Sequence, residues 1–160
     1  MFTASARPKP VPATQAAGTY STTSGIVPSA ASGSGLSNYA ITYVNGTLTI
    51  NKAALTITAN NDSKTYGDVK TYGSGSSAFT SSGLVNSETI GSVTITDTNS
   101  GGVATAAANG SYALTPSAAV GGTFNISNYA VTYTAGTLSV GQKALTITAN
   151  GQSTTYGTAL

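Results

Sequence analysis

Two stretches of this chain, 90 residues apart, are close copies of one another. Residues 37–67 read SNYAITYVNGTLTINKAALTITANNDSKTYG, and residues 127–157 read SNYAVTYTAGTLSVGQKALTITANGQSTTYG. They align without a gap, with 20 of 31 positions identical and Ile/Val exchanges at two more. Upstream, Gly18-Thr19-Tyr20 leading to Pro28-Ser29-Ala30-Ala31 echoes Gly110-Ser111-Tyr112 leading to Pro116-Ser117-Ala118-Ala119, at a different spacing. A fixed period of this size marks a tandem array in which each unit is one small folded body. The chain then divides into residues 1–17, a linker or truncated start, and 18–53, the C-terminal half of one module. A complete module follows at 54–140, and 141–160 begins the next. Pro8, Pro10 and Pro12 interrupt the linker, which contains no apolar signal-peptide core.

Within the repeat the pattern is that of β-strands. Tyr39, Ile41 and Tyr43 share one face of a strand, as do Tyr129, Val131 and Tyr133, and these tyrosines are expected in the core. Asn45-Gly46 reads as a two-residue hairpin turn because both residues tolerate positive φ, with Leu48 and Ile50 pointing inward on the returning strand. Ala135-Gly136 is a weaker version of the same signal. Leu55, Ile57 and Ala59 alternate with Thr56 and Thr58, and Val93 and Ile95 with Thr94 and Thr96. Thr on the outer face favours strands through its β-branch and gives solubility without charge. Asp97–Gly102 and Asn109-Gly110 are expected turns, Val103–Ala107 a strand, and Leu84–Ile90 a short helical turn. Core candidates in the complete module include Leu55, Ile57, Tyr72, Phe79, Leu84, Ile95, Leu114, Phe124, Tyr133 and Leu138. The joints Asn51–Ala54 and Gly141–Ala144 are short and lack Pro, so consecutive modules should point end to end as a rod or beaded string.

Composition narrows the function. Thr, Ser and Gly make up 68 of the 160 residues, while charged residues make up only 6%. There is no His and no Cys, so neither a Ser-His-Asp nor a Cys-His centre can be assembled, nor an ordinary zinc site. The four acids are Asp62, Asp68, Glu88 and Asp97, a small stock for paired-carboxylate catalysis or a calcium cage. A net charge of +2 from six basic residues is too thin for a nucleic-acid footprint. No apolar run approaches the roughly 18–20 residues of a membrane span. The expectation is a protein that is not an enzyme, needs no cofactor or metal, and does not bind nucleic acid.

The set SNYAITYVNGTLTI, KAALTITAN and SKTYG, recurring at the same spacing in both copies, resembles the MBG domains of the YGX type. The resemblance spans nearly everything after about residue 18. Gln142-Lys143 departs from Lys52-Ala53 at the joint, and Tyr66-Gly67 is followed by a second Tyr-Gly at Tyr72-Gly73. Such repeats occur in tandem in very large bacterial surface proteins, including adhesins of the filamentous-haemagglutinin, two-partner-secretion kind. The resemblance implies a mostly β fold of tandem small sheet domains in an elongated array, β-grasp-like, with an immunoglobulin-like sandwich as the alternative. It also implies a secreted or bacterial cell-surface location. The function expected is a structural stalk or spacer that projects a distal binding region, its partners being neighbouring repeats of the same chain. The alternative is a carbohydrate- or mucin-binding repeat that mediates adhesion directly through host or plant surface glycans.

Candidate ligand-binding residues are Tyr66, Tyr72 and Tyr156, aromatics that could stack on sugar rings. The plainer reading of Tyr66-Gly67 and Tyr156-Gly157 is a core Tyr at a strand end beside a Gly in a conformation barred to other residues. Asp62, Asp68 and Asp97 are weak calcium candidates, since Asp62 and Asp68 become Gln152 and Thr158 in the next copy. Lys52 and Lys64 are weak candidates for an isopeptide bond. Asn45, Asn61, Asn109 and Asn125 each begin an Asn-x-Ser/Thr acceptor pattern.

Overall fold

A computed structural model describes residues 12–21, 26–28 and 31–159. Residues 1–11 of the expected linker, with Pro8 and Pro10, lie outside the described residues, as do Ser29 and Ala30 of the upstream echo. The fold is mostly β, with no α-helix among the described residues. Among the described residues nine strands occur in chain order: β1 (Gly18–Tyr20), β2 (Leu48–Ile50), β3 (Ala53–Ala59), β4 (Asp62–Thr65), β5 (Phe79–Ser82), β6 (Ser92–Asp97), β7 (Ser111–Val120), β8 (Tyr129–Thr134) and β9 (Gly136–Gly141). They form a two-stranded sheet β1-β2, a three-stranded sheet β5-β3-β8 and a four-stranded sheet β4-β9-β7-β6.

The complete module is organised by two long runs that each pass through both larger sheets. β3 pairs in parallel with β8, from Ala53 opposite Tyr129 to Thr58 opposite Thr134. β4 pairs in parallel with β9, from Asp62 opposite Leu138 to Thr65 opposite Gly141. The offset is the same 76 residues in both ladders, so 53–65 and 129–141 are two bent ribbons lying side by side. Both bend at one level, at Asn60-Asn61 and at Ala135-Gly136, and the module curls into a half-barrel.

This corrects the hairpin expected at Ala135-Gly136. The chain does not reverse there: β8 and β9 belong to different sheets and run on in one sense. Gly136 has no left-handed φ; a Cβ built on it would stand 2.5 Å from the Ala59 carbonyl oxygen and 2.7 Å from that of Asn60. The glycine is there to let two backbones nest at the corner. At Asn45-Gly46 no tight hairpin forms either, and Gly46 bridges instead to Ile26.

The inward faces of the two sheets bury Leu55, Ile57, Ala59, Val93, Ile95, Leu114, Ala119, Tyr129 and Leu138. Tyr72, Phe79, Leu84, Phe124 and Tyr133 pack around them, so all ten core residues chosen from the sequence are found there. The tyrosine hydroxyls reach the surface of this core with partners: that of Tyr129 donates to Glu88 at 2.6 Å, and that of Tyr133 accepts from the Ala119 amide at 3.0 Å. β7 carries the fully buried Pro116, beyond the stretch paired with β9, where its missing N–H breaks no ladder. An adjacent bulge against β6 places Ala118 at φ 48.

Two other expected elements are absent. Leu84–Ile90 is not helical: Asn86 and Ser87 both have positive φ (54 and 57), and the Glu88 amide closes a tight turn on Val85 at 3.0 Å. A turn rather than a helical segment thus crosses between β5 and β6. Val103–Ala107 is not a strand but a series of turns, because its backbone is claimed from outside. The buried Lys64 ammonium donates to the Val103 carbonyl, and the Gly67 amide to that of Ala104.

Upstream, the Gly18–Tyr20 part of the echo is matched in space. Tyr20 of β1 stands opposite Leu48 of β2, as Tyr112 of β7 stands opposite Leu138 of β9. Among the described residues, no strand stands beside residues 39–44 as β3 stands beside β8. Tyr129 is 3% exposed, whereas Tyr39, its copy, is 61% exposed, and Tyr43 is exposed as well. The expectation that all four tyrosines are core therefore holds only inside the complete module.

The heptapeptide ALTITAN makes the same point, occurring at 54–60 and again at 144–150. In the first position Leu55 and Ile57 are 1% and 0% exposed; in the second Leu145 and Ile147 are 83% and 87% exposed and form no strand. Burying each such side chain is worth about 1.5–3 kcal/mol, so the partners rather than the residues make this a strand. Hydrogen exchange should therefore separate identical peptides, with the amides of 55–58 strongly protected and those of 145–148 exchanging near the unprotected rate. A Gly136→Ala change is expected to destabilise the module by about 2 kcal/mol or more in urea denaturation. Gly73→Ala, where a Cβ meets nothing within 4 Å, should be nearly neutral.

Candidate functional site

Few charged groups are available, and most of the acids are gathered on one flank of the half-barrel. Asp62 opens β4, where its Oδ2 accepts from the Tyr72 hydroxyl at 2.9 Å and its Oδ1 forms an ion pair with Lys70. The Ser63 amide donates to the same Oδ1 at 2.7 Å. Asp97, at the end of β6, accepts from the amides of Gly101 and Gly102 at 2.9 and 2.6 Å, fixing the turn that follows. Between these groups lies an open cleft of about 460 Å³, lined by Lys70, Tyr72, Thr96, Asp97, Ser100 and Val103 among others.

The electrostatics follow from this packing. The Lys70 hydrogen bond is the main cause holding the Asp62 carboxyl below its ordinary value, with Ser63 and Tyr72 adding to it and partial burial opposing it. Tyr72 is pushed up, first by burial and then by the Asp62 carboxylate that its hydroxyl serves. Tyr129 is raised chiefly by burial, with the bond to Glu88 next. The Lys70 ammonium and the Tyr72 hydroxyl of the cleft wall are thus both paired with Asp62. Asp68 accepts from the Thr65 amide at 3.2 Å, a local turn contact, and does not converge with Asp62 and Asp97 on one point. Among the described residues no three acids are grouped to hold a metal ion.

The three candidate tyrosines occupy different environments. Tyr72 is half-buried, its ring against the core and its edge on the cleft. Tyr66 is exposed rather than core, which corrects the plainer reading of that residue, and Tyr156 is exposed too. The glycines beside them do what was expected: Gly67 and Gly157 have φ of 95 and 91. Tyr66 lies at the far end of the module, its amide bonded to the Gly141 carbonyl at 2.8 Å and its side chain beside Ala108, Gln142 and Lys143. These residues border the short connection at 141–144 where the sequence repeat begins again.

At the module's other end lies the short connection at Asn51–Lys52. Only Asn51 and Lys52 separate β2 from β3. Across it the Ala17 amide donates to Asn128 Oδ1 at 3.0 Å, and Asn86 Nδ2 donates to the Ala13 carbonyl at 3.3 Å. A small cavity of about 160 Å³ between them is lined by Gln15, Ile50, Ala53, Glu88 and Tyr129. Gly18–Tyr20 matches Gly110–Tyr112, so Ala16 corresponds to Ala108. The surface carrying Tyr66 and Ala108 is therefore the module's own copy of the surface that residues 13–17 present across the first joint. The sequence pointed to Tyr66 as an aromatic but not to its place at a joint, because the strand order that puts residue 66 beside 141 is set by the parallel β4–β9 pairing.

Because the folded carboxyl of Asp62 sits below its ordinary 3.8, its contribution is present at neutral pH and is lost as pH falls through the lowered value. Asp62→Asn should lower the urea midpoint at neutral pH, and the gap from the native chain should close in acid. A gap unchanged from neutral to strongly acidic pH would show that the ion pair is not coupled to folding.

Neither a curated protein nor a solved structure matches this chain. A family model does, that of the MBG domain (YGX type), over residues 55–139. Those limits run from the second residue past the start of β3 to the fourth residue of β9, and so take in most of both bent ribbons and the core between them. With more than half its length matched, the chain belongs to the family of MBG domains of the YGX type.

Proposed function

We propose that this protein is a run of stalk repeats from a secreted or surface-exposed bacterial adhesin of the filamentous-haemagglutinin kind, holding a binding region away from the cell. The observation that carries this reading is the joint. Two residues connect β2 to β3, and hydrogen bonds at Asn86 and Asn128 fasten residues 13–17 to the body that follows. A flexible tether would have no such bonds, and a connection this short leaves little freedom for one unit to swing against the next. Repeated every 90 residues, the joint sets a regular axis. The family supports a repeat module of surface proteins; stalk, adhesin and location are the proposed part. No helix among the described residues is long and apolar enough to cross a membrane. The low charge and Thr-faced strands suit a spacer, and we propose no catalytic role.

Direct glycan binding is the second reading, favoured by the cleft that Tyr72 and Lys70 line. The two separate in solution. For a stalk, the radius of gyration of chains with one, two and four modules should rise almost linearly with module number. A compact assembly would grow only as about the 0.38 power of length, and that outcome would defeat the stalk. For the binding reading, a glycan array should show saturable binding that Lys70→Ala weakens; a flat array would remove it.

A further inference from the structure

The two ribbons that build the module are also the two through which any tension along an array must pass. Load enters the module at Ala53 and leaves at Gly141, because the joints to its neighbours lie at residues 51–52 and 142–143. Ala53 begins the ribbon 53–65 and Gly141 ends the ribbon 129–141, and the ribbons are parallel neighbours. Tension therefore pulls one ribbon toward its own start and the other toward its own end. The ladder cannot be opened one rung at a time from an end. Its six β3–β8 and four β4–β9 pairs are loaded together, along the strands.

We infer that the module is a mechanical clamp, built to resist extension along the array axis, with the parallel β3–β8 and β4–β9 ladders as its bearing element. This rests on the stalk reading only for the source of the tension. Three further features oppose sliding. At the corner the Gly136 backbone nests against the carbonyls of Ala59 and Asn60, so displacement brings backbone against backbone. Beside it the Asn61 side chain accepts from the Thr137 amide at 2.9 Å and ties one ribbon to the other. A slip by one residue would also turn the fully buried Leu138 and its neighbour Val140 out of the core. The antiparallel pairs β3–β5 and β6–β7 are off the direct path.

Single-molecule pulling tests the geometry. The chain contains no Cys, so introduced thiols give unique handles. Lys52→Cys with Gln142→Cys loads the ladders in shear; Lys52→Cys with Ile126→Cys pulls at the shared start of both ribbons and peels them. All three positions are exposed, and the two variants should share one urea midpoint, so that any difference in force is directional. The expected result is a rupture force several times higher in shear than in peeling, with Asn61→Ala lowering the shear value and leaving peeling unchanged. Equal forces in the two geometries would overturn the clamp, whatever the scattering says about the stalk. A high ratio in a chain whose arrays scatter as compact bodies would keep the clamp and remove the stalk.

Discussion

One constraint runs through the module: residues 53–65 and 129–141 stay in parallel register, 76 apart, through two sheets and the bend between them. Everything near the core is arranged to permit that. Gly136 is small so that the ribbons can turn together, Asn61 bridges them where the ladder is interrupted, and Leu55, Ile57 and Leu138 point to the same interior because the registers agree. β5 and β6 are then laid on the outer edges, and β7 links β9 to β6. The ribbons that open and close the module are thus next to each other in space, and the chain cannot close its core until the second has been made.

That long-range pairing also explains what could be read from the residues and what could not. Alternation of Leu55, Ile57 and Ala59 with Thr was enough to identify β3 and its inner face, since burial on one side of a strand leaves a period of two. The Gly at 136 was legible as special, but its local signal is shared by a tight turn and a nested corner. Only the partner 76 residues away distinguishes them. Val103–Ala107 has the composition of a strand yet is held in turns by Lys64 and Gly67, residues whose reach depends on β4. In Leu84–Ile90, Asn86 and Ser87 tolerate positive φ, and the tight turn overrode the apolar spacing.

At the candidate site the same division holds. Composition made the scarcity of chemistry plain, and Tyr66 and Tyr72 stood out as aromatics beside glycine. Their separate roles did not. Tyr72 gives its hydroxyl to Asp62 and its ring to the core, whereas Tyr66 faces the next joint. The two Tyr-Gly pairs look alike in one dimension and lie on different surfaces in three.

The repeated ALTITAN segment has a consequence for assembly. An array made of near-copies contains several strands able to fill one slot, and exchange between them is a known failure of tandem proteins. Residues 144–150 match β3 in sequence and follow β8 closely, so they compete for its edge. Only nine residues lie between Thr134 and Ala144, fewer than the dozen or more that a parallel crossover takes. The copy nearest in sequence is thereby the one least able to intrude. β3 also precedes its competitor in the chain, so it is available to β8 first. The short joint that aligns the modules also keeps each repeat folding on itself.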